Sequence, residues 1–80
     1  MISYEVVLLP IDLKQNTCAA ILAGDEAQVQ IGKKFVNSQG ETFVVSSIGT
    51  HCEGYHKNRM QVLVKCSSPK CASGQYVLAN

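Results

Sequence analysis

Residues 35–48, FVNSQGETFVVSSI, decide the fold that we expect for this chain. Two apolar segments in this stretch flank the polar tetrapeptide Asn37-Ser38-Gln39-Gly40. Asn and Gly tolerate positive φ angles, and β-branched and aromatic residues fit a pleated sheet. The stretch therefore predicts a β-hairpin, over which the rest of the chain closes as further short strands.

Alternating side chains outside the hairpin predict the other strands. The pattern predicts strands at residues 3–9, 27–31, 59–66 and 75–79, in addition to the hairpin's second strand at residues 41–48. We expect Pro10 to end the first of them, since proline cannot donate to a strand ladder. In the second, Val29 and Ile31 are expected to point into the core.

Residues 17–23, TCAAILA, leave two structures open. Ala and Leu favour a helix, but seven residues nucleate a helix poorly, so a strand is the favoured interpretation. Turns then recur every 8–12 residues or so, a spacing typical of small barrels and sandwiches. The sequence predicts an all-β fold, a small barrel or sandwich of about six short antiparallel strands.

Size and composition point to one small globular domain. The chain has 80 residues, of which 46% are hydrophobic, and four are cysteines. It has no apolar run of the roughly 18 residues that a membrane span needs, and its first residues make a poor secretory signal. We therefore expect a cytoplasmic protein, in which the cysteines are reduced thiols or metal ligands.

Charge is unevenly distributed along the chain. Residues 1–53 carry a net charge of −3 and residues 54–80 a net charge of +4. Small barrels bind single-stranded nucleic acid with mixed cations and aromatic rings. Residues 54–80 offer such a mixture: Lys57, Arg59, Lys65, Lys70, Tyr55, His56 and Tyr76. However, a pI of 7.7 is far from that of a dedicated nucleic-acid binder, so a solvated surface is the favoured interpretation.

Three runs of the chain carry a resemblance to a known family. AGDEAQVQIGKKF, GETFVVSSIG and SGQYVL are similar to the second-domain β-barrel of translation GTPases. Gly32, residues 45–48 and Gly74 stand at the points that match the family pattern, across about two thirds of the chain. The resemblance implies a barrel. It carries no catalytic motif and implies no particular partner.

Thiols and imidazoles between residues 51 and 71 form a candidate zinc site. Four ligands from the following set could close a tetrahedron: His51, Cys52, His56, Cys66 and Cys71. Their spacing is H-C-x3-H and C-x4-C, not the C-x2-C of structural zinc knuckles. The competing interpretation places Cys18 and Cys66 in the core as small apolar residues, because Cys66 alternates with two valines.

The predicted loop at residues 49–58 is long for so small a domain, and long loops are often functional. We place the best binding candidates there and just beyond it, at Tyr55, His56, Lys57 and Arg59. An enzyme is not expected. The chain has no phosphate-binding glycine motif, and Cys52 with His56 lacks a third orienting group.

Protein binding is the function that the sequence favours. Residues 17–23 and 75–79 lack the charges that normally protect an edge strand, so a partner protein or a second copy could pair there. We predict an accessory domain, such as an inhibitor or adaptor of the kind mobile elements encode. A barrel that binds single-stranded nucleic acid is the first alternative, and a zinc-stabilised structural module is the second.

Overall fold

Six antiparallel strands close into a barrel. The computed structural model describes residues 2–12, 14–52, 59–67 and 71–79, with the backbone alone at residues 50–52. Around the barrel the strands follow the order β1-β2-β5-β4-β3-β6. Their bounds are β1 (Ser3–Asp12), β2 (Thr17–Ala23), β3 (Lys34–Asn37), β4 (Thr42–Cys52), β5 (Arg59–Cys66) and β6 (Gly74–Leu78). The all-β prediction is confirmed, and of its two alternatives the barrel is the correct one.

The core of the barrel is built from side chains that point inward from all six strands. Four aromatic rings form a continuous chain through it. The ring of Phe35 lies 5.2 Å from those of Tyr4 and Phe43, and Phe43 lies 4.8 Å from Tyr76. Valines, Leu8, Leu22, Ala20 and two cysteines fill the remaining interior. Because large rings bury the most area per residue, this chain of rings compensates for the absence of tryptophan.

The predicted hairpin is confirmed as β3 and β4. Asn37 organises its turn through its side chain rather than through a positive φ angle: Oδ1 accepts the N–H groups of Gln39 and Glu41 at 3.0 and 2.9 Å. Gly40 supplies the left-handed conformation, with φ of +81°. The turn therefore uses an Asn side chain and a Gly backbone for two different tasks.

The first strand runs past Pro10, so the prediction that proline ends it is wrong. β6 pairs with β1 only as far as Val6, and beyond that point β1 has a paired strand on one side only. On the open side Leu8 donates its N–H to Ser73 Oγ at 2.9 Å. Pro10 lies two residues further on and faces the same side, because backbone N–H groups alternate along a strand. Because no strand is paired with β1 on that side at Pro10, the absence of an N–H group there removes no hydrogen bond between strands.

The strand predicted at residues 27–31 is wrong. A 3₁₀ helix at Glu26–Gln28 takes its place, capped by the Asp25 carboxylate, which accepts a backbone N–H at 3.0 Å. Val29 is buried as predicted, but Ile31 is 67% exposed. A local side-chain cap outweighed an alternating pattern only five residues long.

The later strands match the prediction with two adjustments. β5 has the predicted bounds, residues 59–66, and β6 is shifted by one residue. β4 continues to Cys52, so the predicted loop does not begin at Gly49. A Cβ at Gly49 would lie 2.9 Å from the carbonyl oxygen of Gln61, which explains why this strand position has no side chain. The rest of that predicted loop, residues 53–58, lies outside the described residues.

Candidate functional site

Outward-pointing side chains on three neighbouring strands form an apolar surface. Leu9 on β1, Ala19 on β2 and Leu63 on β5 lie in one row of the register. Val7 and Ile21 form the row beside it, which the polar Gln61 of β5 completes. We call this surface the apolar face and define it by Val7, Leu9, Ile11, Ala19, Ile21 and Leu63. Its members carry no charge.

The apolar face has a packed centre and an open rim. Ala19 and Ile21 point away from the barrel interior, yet each is only 6% exposed. Ala19 lies between Leu9 and Leu63 in its row, and opposite side chains in a sheet lie close enough to pack. The rim is formed by Leu9, Ile11 and Leu63, which are 49%, 60% and 37% exposed. Three of the five large apolar side chains found exposed in the described residues therefore belong to this one surface.

Strand pairing does not leave the two predicted docking segments open. The strand prediction for residues 17–23 is confirmed, and this strand, β2, is hydrogen-bonded to β1 and β5. The predicted strand at 75–79, now β6, is hydrogen-bonded to β1 and β3. Both strands lie inside the closed barrel, so neither has the unpaired backbone edge that its lack of charges predicts. The prediction of a partner stays a prediction.

A shallow groove lies across the barrel from β2, on the outer surface of β3 and β6. Its volume is about 360 Å³, and it is lined by Val36, Asn37, Ser38, Gln75 and Val77. None of these side chains is an acid, a base or a thiol. The groove therefore offers amide and hydroxyl groups for binding, but no group that titrates near neutral pH.

Beside the groove, a polar network ties the hairpin turn to the chain before β6. Glu41 Oε1 accepts the amide of Asn37 at 2.8 Å and the N–H of Ala72 at 3.2 Å. These two bonds, in that order, lower the pKa of Glu41. The hydroxyl of Tyr76 donates to Ala72 O at 2.8 Å, and burial raises its pKa. The network is satisfied internally, which indicates a structural role.

Of the four predicted contact residues, the structure describes one. Arg59 begins β5, is half-buried and pairs in register with Cys52. Tyr55, His56 and Lys57 lie outside the described residues. The prediction that this segment makes the contacts stays a prediction.

The predicted zinc ligands divide into two groups. Cys66 and Cys71 come together, and the third thiol beside them is Cys18, which was not in the predicted ligand set. Across the described ranges, no group of three or more His, Cys, Asp or Glu side chains has an arrangement that could hold a metal ion.

The other predicted ligands come from β4 and the segment after it. His51 and Cys52 are described through their backbone alone, and His56 lies outside the described residues. The zinc hypothesis stays a prediction, but Cys66 faces the core as the alternating pattern indicated.

The aromatic rings proposed for stacking on nucleic acid are not on the described surface. Tyr76 has an exposure of 0%, and its ring packs against Phe43. Tyr4, Phe35 and Phe43 are equally buried. Tyr55 lies outside the described residues, so nucleic-acid binding stays a prediction that Tyr76 does not support. In the part of the chain that the structure describes, no helix has the length and apolar character to cross a membrane.

Comparison with known proteins brings no relative to bear on these surfaces. Neither a protein-family model, nor a curated protein, nor a solved structure matches the chain. The resemblance to the second-domain barrel of translation GTPases stays a prediction.

The sequence carries a signal for the apolar face. Residues 6–9 and 19–22 are apolar on both sides of the strand, where a half-exposed strand alternates. Such a pattern is typical of a strand that is covered on both faces. The structure shows that the outward set is instead partly open to solvent.

Proposed function

We propose that this domain is a non-catalytic binding module that docks on another protein through the apolar face. The observation that carries the proposal is the exposure of Leu9 and Leu63 on either side of the packed Ala19, with Ile11 exposed further along β1. A contiguous apolar surface of this kind is typical of protein-interaction sites in soluble domains.

The interior of the barrel does not include the exposed rim of this surface. Inward-pointing residues from every strand already form a complete core, and the apolar face belongs to the opposite parity of β1, β2 and β5. Exposed apolar area is unfavourable in water by about 25 cal/mol per Å², a cost that a partner would remove on binding. Selection for binding explains why Leu9, Ile11 and Leu63 are not polar.

The proposed contact is made by side chains, not by adding a strand. β2 at the centre of the apolar face is paired on both sides. On the open side of β1, Ser73 Oγ occupies the N–H of Leu8, and Pro10 has none to offer. Strand addition depends on free backbone N–H donors, and these two positions of β1 have none to offer a partner strand.

The non-catalytic part of the proposal is supported by the content of the groove. Its five lining residues include no nucleophile paired with a base, although catalysis by acid–base or covalent chemistry needs such a pair within hydrogen-bond reach. An accessory, inhibitory or adaptor role requires only the binding surface.

A matched pair of double variants tests the proposal. L9S/L63S removes two rim residues of the apolar face, and V36S/V77S makes a similar change in the groove across the barrel. Each variant and the wild type is immobilised and exposed to native extract from the source cells, and the retained proteins are quantified. We expect a protein that the wild type and V36S/V77S retain and that L9S/L63S loses by about tenfold or more, since two hot-spot side chains carry at least that much.

Thermal unfolding of all three proteins controls for loss of structure, because only folded variants are compared. Equal retention by the two double variants would contradict the proposal, and so would the absence of any retained protein. Sedimentation of the purified domain at increasing concentration identifies a second copy as the occupant if L9S/L63S abolishes self-association.

A further inference from the structure

Two buried thiols contact each other between neighbouring strands. In the register of β2 with β5, Cys18 pairs with Val64, so Cys66 lies diagonally opposite it, two residues further along β5. Cys66 Sγ donates to Cys18 Sγ at 3.4 Å. The two residues are 6% and 7% exposed, so both lie in the core, and neither is in a disulfide.

A third thiol lies close by but has other partners. Cys71 is half-buried at the edge of the core and donates to the carbonyl oxygen of Thr42 at 3.5 Å. Its sulfur is 4.0 Å from the hydroxyl of Ser67. Cys66 is also hydrogen-bonded to Cys71, but only Cys18 and Cys66 are both buried, with their sulfurs 3.4 Å apart, which marks these two as the pair.

We propose that Cys18 and Cys66 are a modification site that hydrogen peroxide converts into a disulfide linking β2 to β5. The Cys18 thiolate attacks one peroxide oxygen, the O–O bond breaks, and the products are a sulfenic acid at Cys18 and hydroxide. The sulfur of Cys66 then attacks the Cys18 sulfur and displaces its hydroxyl group. The proton from each thiol ends in water, so two thiols and one peroxide give one disulfide and two waters.

Geometry and protonation assign these roles. The hydrogen bond runs from the Cys66 S–H to the Cys18 sulfur, so the two sulfurs are in direct contact before oxidation. Burial, and then hydrogen bonds with Cys18 and Cys71, raise the pKa of Cys66, which suits it to remain protonated until the sulfenic acid forms. Peroxide is close to water in size, whereas a bulky disulfide reagent would have to open the barrel. A disulfide bond is about 2.05 Å long, so closure shortens the 3.4 Å contact between the sulfurs and draws β2 and β5 together at this diagonal position.

The chain allows an unambiguous test on the wild-type protein. Trypsin cleaves after Lys and Arg, so the four cysteines fall in four separate peptides: residues 15–33, 35–57, 66–70 and 71–80. The folded protein is treated with hydrogen peroxide, the remaining thiols are blocked with N-ethylmaleimide, and the digest is analysed by mass spectrometry with and without reductant. We expect a reducible cross-link between peptides 15–33 and 66–70. The same cross-link should form in Cys71→Ser and be absent from Cys66→Ser.

Any other result overturns the proposal. A cross-link from 66–70 to 71–80 would show that Cys71 is the true partner, and one to 35–57 would implicate Cys52. Four alkylated or overoxidised thiols would show that the native barrel does not close the bond. Treatment in urea serves as the reference for unselective pairing, so a native pattern identical to the urea pattern also counts against the proposal. The wild-type digest decides the matter even if a cysteine variant fails to fold.

Discussion

The two sides of the barrel's outer surface differ in character although they share one core. On the β2 side most outward residues are apolar and form the apolar face, with Gln61 and Lys65 of β5 at its border. On the side of β3 and β6 the outward surface holds Lys34, Gln75 and a shallow groove that mixes valines with amides and a hydroxyl. β1 borders both sides. Its outward Ser3 pairs with β6 alone, Glu5 pairs with both β6 and β2, and Leu9 pairs with β2 alone.

This difference separates what the fold needs from what it permits. A closed six-stranded barrel needs one inward set of side chains, and the outward set is free to follow other demands. The polar side shows that outward positions in this chain can be hydrophilic without loss of the barrel. The apolar side is therefore the surface whose composition calls for a functional explanation.

The interior supports both sides equally, and its loss is expected to have the largest effect. Phe43→Ala removes one of the two central rings of the aromatic chain. The Phe43 side chain has an exposure of 0%. We expect the free energy of unfolding to fall by about 3–5 kcal/mol, the usual cost of such a truncation. Urea unfolding monitored by circular dichroism measures it. A loss below about 1 kcal/mol would mean that the aromatic chain is not the common support of both sides.

A matched pair on β5 tests whether the apolar face contributes to folding. Val64→Ala acts on the interior, where exposure is 0%, and is expected to cost about 2 kcal/mol from lost methyl groups and the cavity they leave. Leu63→Ala acts on the neighbouring outward residue, which is 37% exposed, and is expected to cost less than about 1 kcal/mol. Urea unfolding of the two variants gives the comparison. Equal losses would make the apolar face part of the core and would weaken the case for docking there.

The smallest effect is expected on the polar side, at Glu41. Its hydrogen bonds hold its pKa below the ordinary value of 4.5, so its contribution to stability is fully present above that pH. The contribution is lost as the pH falls through the lowered pKa. Below pH 4.5 the wild type should therefore lose stability more steeply than Glu41→Gln, as measured by thermal unfolding across a pH series. Glu5→Gln, on the outer surface of β1, controls for removal of a negative charge; a wild-type slope equal to that of Glu41→Gln would rule out the proposed role of the network.

Parts of the fold that depend on local pattern could be predicted from the sequence. Residues 59–66 alternate strictly and proved to be a strand with those bounds, and the Asn37 to Gly40 turn joined the predicted hairpin. The end of the first strand could not be predicted, because Pro10 is tolerated only where β6 has already stopped. That depends on the length of a strand more than sixty residues away. Ile31 was misplaced because capping by Asp25 replaced the expected strand.

The candidate sites depend more heavily on topology. Alternation was sufficient to place Cys66 in the core, but its contact with Cys18 requires β2 and β5 to be neighbours, although two other strands separate them in sequence. The apolar face assembles in the same way, from β1, β2 and β5. Only a register that aligns Leu9, Ala19 and Leu63 turns three scattered residues into one surface.

The exposed flank of β1 bears on how this protein behaves at high concentration. Two consecutive amide positions along that flank offer no free donor, because Ser73 occupies the first and Pro10 replaces the second. Fibrils grow when the edge strand of one molecule pairs with the edge strand of the next, and this pairing needs such donors in register. Copies of the domain are thereby kept from extending one another's sheets. The chain therefore carries exposed leucines and isoleucines beside that flank with a lower risk of amyloid-like precipitation.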